Sequence, residues 1–304
     1  MMNQQPLVSV ALCVYNGEKY LELQLDSILN QDYQNLEVIA VNDCSKDNSQ
    51  AILESYVERY SNLKVFNNEK NLGYVKNFER AITLCEGKYI ALSDQDDIWH
   101  PQKISKQVAA IGDAVLIYHD SEFIDEEGNS LNKNVSDILN LYEGDSPLPF
   151  LFMNCVSGHA ILFDNKLIEY ALPFNPQFFH DWWLAFVAGN VGSVKVIREP
   201  LVKYRQHTTN TIDILESKRD MAVEKPNELL DKKAWAVYCG TFNGQYSEYI
   251  KRITRLVRRD LSFFSKLQLY YLMLKHKREF QYISKSPLKR QAKDIKTLVF
   301  GIHK

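Results

Sequence analysis

The first hundred residues repeat one phrase four times: a strand-length apolar run, a polar turn, then a stretch with helical spacing. The runs are 7–14, 36–42, 63–66 and 88–93, starting about 25–30 residues apart, as βα units do. Between them, Leu21, Leu25, Ile28 and Leu29 share one face of a helix over 20–30. Ile52, Leu53, Tyr56, Val57 and Tyr60 do the same over 49–60, behind a Ser/Asn cap. A third helix, 74–86, is expected to end at Gly87 in a left-handed C-cap. Strands alternating with helices predict an α/β chain with a mostly parallel sheet and three right-handed crossovers.

The grammar changes after Pro101. A further helix should run to Gly112, followed by a strand over 114–118 and a turn-rich stretch, 125–145, whose EEGN reads as a hairpin tip. A second apolar block, 150–163, contains Gly158. From about residue 212 onward the pattern is helical, with a linker expected near Lys225, Pro226 and Asn227.

Composition narrows the classes. With 304 residues, 45% of them hydrophobic and 24% charged, the chain can bury a large core, which excludes disordered and collagenous types. The 5 cysteines form no CxxC pair, arguing against a disulfide framework or a cysteine zinc site and for a reducing compartment. No signal-peptide pattern and no membrane-length apolar run is present, so the expectation is a cytoplasmic protein that could rest on the inner face of a membrane. Charge is uneven: residues 251–304 hold 15 Lys and Arg against 3 Asp and Glu, a balance of +12 that leaves −14 elsewhere.

In open α/β sheets ligands bind beyond the carboxyl ends of the strands. Those ends carry Tyr15-Asn16-Gly17, Asn42-Asp43-Cys44-Ser45-Lys46-Asp47, Asn71-Leu72-Gly73 and Asp94-Gln95-Asp96-Asp97. Three carboxylates within four residues repel one another unless a cation intervenes, and oxygen ligands suit Mg²⁺ or Mn²⁺. None of the 12 glycines forms GxGxxG or a P-loop. A nucleotide would therefore rest on metal and side chains, with Asp43 toward the N–H groups of the base and Tyr15 beside it. Singly, Asp43 and Asp47 read equally as turn acids and Tyr15 as packing.

The segments VSVALCVYNGEKYLELQLDSILNQDYQNLEVIAVNDCSKDNS, NEKNLGYVKNFERAI and GKYIALSDQDDIWHPQKI closely resemble family 2 glycosyltransferases of the GT-A fold, and SDQDDIWHPQKI is similar to a bacterial rhamnosyltransferase-like branch. The likeness covers about residues 6–210, with four motifs in order. It implies a metal-dependent, inverting transfer of sugar from a nucleotide-diphospho-sugar, dTDP-rhamnose or a UDP-sugar, to a surface glycan or polyprenyl-linked acceptor. It implies a GT-A domain over 1–212, with a donor half 1–112 and an acceptor half 113–212; the basic helical extension expected over 213–304 lies outside the likeness.

Residue by residue, the likeness puts the base-binding acid on Asp43 and the nucleotide pocket on Cys13, Tyr15, Asn16 and Asn71. Asp94 and Gln95 fall to the donor, Asp96 and Asp97 to the metal. One departure is visible: Asn42 and Cys44 stand where the family has Asp and Gly. Inverting transfer needs one general base, which the likeness puts on Asp181 of Phe179-His180-Asp181-Trp182-Trp183; that acid would equally cap a helix. Gly158, His180, Trp182 and Trp183 are expected to line the acceptor. Tyr204-Arg205-Gln206-His207 resembles the family element that follows the base, in which Arg205 would meet phosphate and His207 the metal or the diphosphate. His119 and Asp120 are weaker sugar contacts.

The tail interleaves Lys251, Arg252, Arg255, Lys266, Lys275, Lys277 and Arg278 with leucines and aromatics, a pattern suited to an anionic membrane or to packing on the acidic domain. It lacks a nucleic-acid module. Two other classes compete, a sugar-1-phosphate nucleotidyltransferase and a non-catalytic scaffold. The first wants a Gly/Arg-rich phosphate loop after strand one, which Tyr15-Asn16-Gly17-Glu18 is not. The intact acids oppose the second.

Overall fold

The computed structural model describes residues 5–207, 226–257 and 263–285. Four parallel strands come first: β1 (Val8–Val14), β2 (Leu36–Asn42), β3 (Leu63–Asn67) and β4 (Tyr89–Ser93), in the order β3-β2-β1-β4. Three helices link them, α1 (Leu21–Leu29), α2 (Ser49–Val57) and α3 (Tyr74–Thr83). Every residue of β1, β2 and β4 is buried, as a sheet covered on both faces requires.

Beyond β4 the order continues β8 (Leu162–Asp164), β6 (Leu116–Ile124), β9 (Val194–Arg205) and β5 (Ile98–Trp99), with β7 (Ser130–Asn134) paired to β6, making a nine-stranded sheet among the described residues. β8 runs antiparallel to both β4 and β6, and β9 runs parallel to β6. β1, β2, β3, β4, β6 and β9 therefore all end at one edge, and the expected strand ends converge there. The fold is α/β as expected.

Alternation along β1 divides the core. Val8, Val10, Leu12 and Val14 join α1, α2 and α4 (Lys103–Ile111) on one face, while Ala11 and Cys13 face α3 and, after the short α5 (Val135–Ile138) and α6 (Ile168–Ala171), α7 (His180–Val191). That second face also receives the C-terminal helices α8 (Pro226–Cys239), α9 (Ser247–Val257), α10 (Phe263–Lys275) and α11 (Lys277–Phe280). Trp235, Cys239, Ile250, Ile253, Leu269 and Met273 all enter this cluster. The helices thus complete the core on this face of the sheet. Pro226 opens α8, where a missing N–H costs little; Lys225 lies outside the described residues.

Two local expectations change. α3 stops at Thr83, and Gly87 serves close approach: its N–H donates to Ser9 Oγ at 2.7 Å, where a Cβ would collide. The expected strand 114–118 is the longer β6, and Gly128 at φ 92° turns the β6–β7 hairpin.

Trp235 is 2% exposed, packs on Trp182, Trp183 and Phe178, and donates its indole N–H to the Phe150 carbonyl. Trp235→Ala is expected to lower the unfolding free energy by about 3–5 kcal/mol in chemical denaturation; a loss below about 1 kcal/mol would mean the helices merely rest on the sheet.

Candidate active site

The strand ends are laced together. Gln95 spans the backbone of Tyr15, accepting from its N–H at 2.7 Å and donating to its carbonyl at 3.0 Å. Asn16, at φ 50°, donates its N–H to Ser45 Oγ and accepts from Lys46 N–H at 2.8 Å. Asn42 accepts from Ser45 and donates to Gln50 Oε1, so the residue that stands for the family's Asp braces the turn after β2. Cys44 sits at φ 66°, the left-handed region where the family's glycine is unstrained.

Asp43 is 2% exposed. Its carboxylate accepts from Asn68 Nδ2 and from the N–H groups of Leu72 and Gly73, and Asn71 donates to its carbonyl at 3.2 Å. It orders the 68–73 loop and keeps some acceptor capacity on Oδ2. Tyr15 is 46% exposed beside this edge. Cys13 is buried beneath it, and burial, with Asp94 and Asp43 adding, pushes its thiol pKa up.

The four residues after β4 point two ways. Asp96 faces outward with His207, Oδ2 to Nε2 at 2.9 Å, and His207 stacks on Tyr20. Asp97 turns inward and is fully buried; Oδ1 accepts from the Arg205 N–H, while Oδ2 has no hydrogen-bond partner and lies 3.7 Å from His159 Nδ1. Asp94, Asp97 and His159 each offer a ligand atom within 4.8 Å of the others. Burial, then Asp96 and Asp181, raise Asp94 to about 7; burial raises Asp97 well above the carboxylate range. Burial lowers His159 to about 3, leaving a neutral ring able to ligate. An orphaned buried carboxylate oxygen, elevated carboxyls and a neutral imidazole fit a divalent cation.

Lys103 sits under this cluster, fully buried at the first residue of α4. Its ammonium donates to the His159 carbonyl at 2.8 Å and covers the Trp99 ring. One helical turn later, buried Gln107 donates to the Ala160 carbonyl. Burial lowers the Lys103 pKa strongly, against the pull of Asp97 and Asp94. The two side chains clamp the Gly158–Ala160 turn, which carries His159 toward the acids and Gly158 toward Asp181. A Cβ on Gly158 would stand 3.4 Å from His180 Nε2 and 3.8 Å from Asp181 Cβ.

Asp181 lies in the first turn of α7, partly buried, and accepts from the Trp182 N–H at 2.6 Å. Burial raises its carboxyl to about 7, against the N–H groups of Trp182 and Gly158. Its charge is felt by Asp94 and by half-exposed Tyr74, which places it near the acidic end of β4. His180 is 6% exposed, stacked on Phe78 at 4.2 Å, and neither ring nitrogen has a hydrogen-bond partner. Burial lowers it to about 3.

Three expectations are corrected. Trp183 is core, donating to the Ala171 carbonyl among Phe186, Trp235 and Tyr238, and Trp182 packs tilted against Trp235 with its indole N–H on the Phe150 carbonyl; both rings are taken up by packing and form no acceptor wall. Arg205 is 1% exposed, and its guanidinium binds the carbonyls of Asp96, Asp125 and Glu126 and lies over Tyr20, so it braces the acidic loop instead of reaching into a cleft. His119 and Asp120 are buried within β6. Lys103, His159 and Tyr20 join the site without any signal in the sequence that singles them out.

The family model described as Glycosyl transferase family 2 matches residues 9–170. An uncharacterized glycosyltransferase of Rickettsia prowazekii is 32% identical over 227 residues, 71% of this chain and 70% of that one. Among solved structures, TarS 1-349 of S. aureus in complex with UDP-GlcNAc superposes with TM-score 0.59 at 18% identity, covering 96% of this chain and 81% of that one. The mannosyltransferase PcManGT of Pyrobaculum calidifontis, in complex with GDP-Man and Mn²⁺, gives 0.50 at 16% identity, covering 99% and 77%. At these identities the structures speak for a shared fold.

Asp181 gives a pH test. A carboxyl raised from 3.8 to about 7 favours the fold fully below its unfolded value, and that contribution is lost as pH rises through about 7. Asp181→Asn should match the wild type near pH 4 and exceed its stability by about 1–3 kcal/mol near pH 8. Parallel stability curves for the two proteins would contradict the raised pKa.

Proposed function

The chain belongs to the family 2 glycosyltransferases, and from that premise we propose that it moves a sugar from a nucleotide-diphospho-sugar to a hydroxyl of a bacterial surface glycan or lipid-linked acceptor, with inversion and with a divalent cation. The observation that carries this reading is Asp181, raised to about 7 and electrostatically coupled across the site to Asp94 at the acidic end of β4. The nucleotides held by the two structural relatives support a UDP- or similar donor. The sequence branch favours dTDP-rhamnose.

The nucleotide would lie over the ends of β1 and β2, its base beside Tyr15 and the spare acceptor capacity of Asp43, with Cys13, Asn16 and Asn71 bordering it. Asp94 would meet the donor sugar or ribose, and Gln95 holds the two strand ends at a fixed spacing. Asp96 with His207, backed by Asp94, Asp97 and His159, would hold Mn²⁺ or Mg²⁺; when bound, that ion neutralises the leaving diphosphate. Asp181 takes the acceptor proton as the acceptor oxygen bonds to the anomeric carbon and the bond to diphosphate breaks. A carboxyl near 7 suits this task at neutral pH, and the α7 N-terminus favours its charged form. Gly158 and His180 border the acceptor path. Within the chain, 1–112 would serve the donor and 113–212 the acceptor, with 213–304 as the basic extension.

Thermal-shift screening of nucleotides and nucleotide sugars, with and without Mn²⁺, tests the reading. A ligand at a hundred times its Kd should add about 2.7 kcal/mol. The addition should need Mn²⁺ and vanish in Asp96→Asn. Equal stabilisation in EDTA would remove the cation from the mechanism. Asp181→Asn should bind the same donor yet lose transfer.

A further inference from the structure

α10 is apolar on two faces. Leu269 and Met273, 3% and 1% exposed, enter the core shared with the acceptor half. On the outward side, Phe264, Leu267 and Tyr271 are 81%, 39% and 71% exposed. Their i, i+3, i+7 spacing makes one continuous stripe along the helix. Water-facing helix surfaces are ordinarily polar, and an aromatic stripe of this kind marks a docking surface.

The charge around the stripe selects the occupant. Lys275, Lys277 and Arg278 are exposed at its C-terminal end, and Arg252 and Arg255 are exposed on α9. On α9 itself, Ile250, Ile253 and Thr254 are buried, so the apolar side of that basic helix is already used inside the protein. Cations beside exposed Phe, Leu and Tyr match the boundary of an anionic bilayer: rings enter the headgroup layer, and each cation near the surface adds about 1 kcal/mol. We infer that the outward face of α10, through Phe264, Leu267 and Tyr271 with Lys275, Lys277 and Arg278, docks the enzyme on an anionic lipid surface. Docking through this helix, which packs on the acceptor half, would hold that half beside the bilayer. The inference stands apart from the donor and base assignments, because vesicle binding is read without turnover.

The test is co-sedimentation of the full chain with vesicles of phosphatidylcholine, with and without phosphatidylglycerol. The wild type should pellet with the anionic vesicles, and high salt should release part of it. The double variant Phe264→Ser, Tyr271→Ser should bind roughly tenfold or more weakly while keeping the wild type's far-ultraviolet circular dichroism spectrum. Lys275→Glu with Lys277→Glu should weaken binding to anionic vesicles only. Failure of the wild type to bind, or undiminished binding by Phe264→Ser, Tyr271→Ser, would overturn the inference. So would sedimentation velocity showing that the stripe instead joins two copies of the chain, with no vesicle binding.

Discussion

Asp94, Asp96 and Asp97 are packed at the end of one buried strand, with Asp181 near enough to raise the pKa of the first. Coulomb repulsion among carboxylates grows as water is excluded, so such a group survives only with compensation. The fold supplies part of it: the Arg205 N–H on Asp97, Lys103 beneath, which pulls the Asp94 and Asp97 carboxyls down, and backbone N–H groups on Asp181. Burial and mutual repulsion still hold the Asp94 and Asp97 carboxyls above the ordinary range, a balance that a cation would reverse. A site held in this half-compensated state is suited to accept a metal with its nucleotide.

The same economy shapes the surroundings. Gln95 ties the acidic loop to β1, Asp43 ties β2 to the loop before α3, and the Lys103–Gln107 pair ties the donor side to the turn that abuts Asp181. The acids after β4 and Asp181 thus both approach one three-residue turn, Gly158–Ala160, which side chains of α4 hold. Such buried polar groups are costly unless satisfied, which is why the clamp is made of donors aimed at carbonyls.

Much of this was legible in the chain. The βα period gave the four parallel strands and their polar ends, because fully buried strands read as apolar runs whatever surrounds them. The second half was less legible. β5, β8 and much of β9 are short or mixed in polarity, and their pairing depends on residues far away in sequence. Trp182 and Trp183 look alike in any binding or core setting; only the arrival of Trp235 from α8 decides for core. Arg205 carries the same charge whether it meets phosphate or backbone carbonyls, and only the β6–β7 hairpin reveals the second. Lys103 was invisible because a lysine at the start of a helix ordinarily reads as solvent-exposed.

The most direct measurement is anomalous scattering from crystals grown with UDP and Mn²⁺. The account predicts a manganese peak in contact with the Asp94–Asp97 segment, bridging to the diphosphate, with the base over the ends of β1 and β2. Nucleotide bound there with no cation at those carboxylates, or manganese ordered only elsewhere, would contradict it.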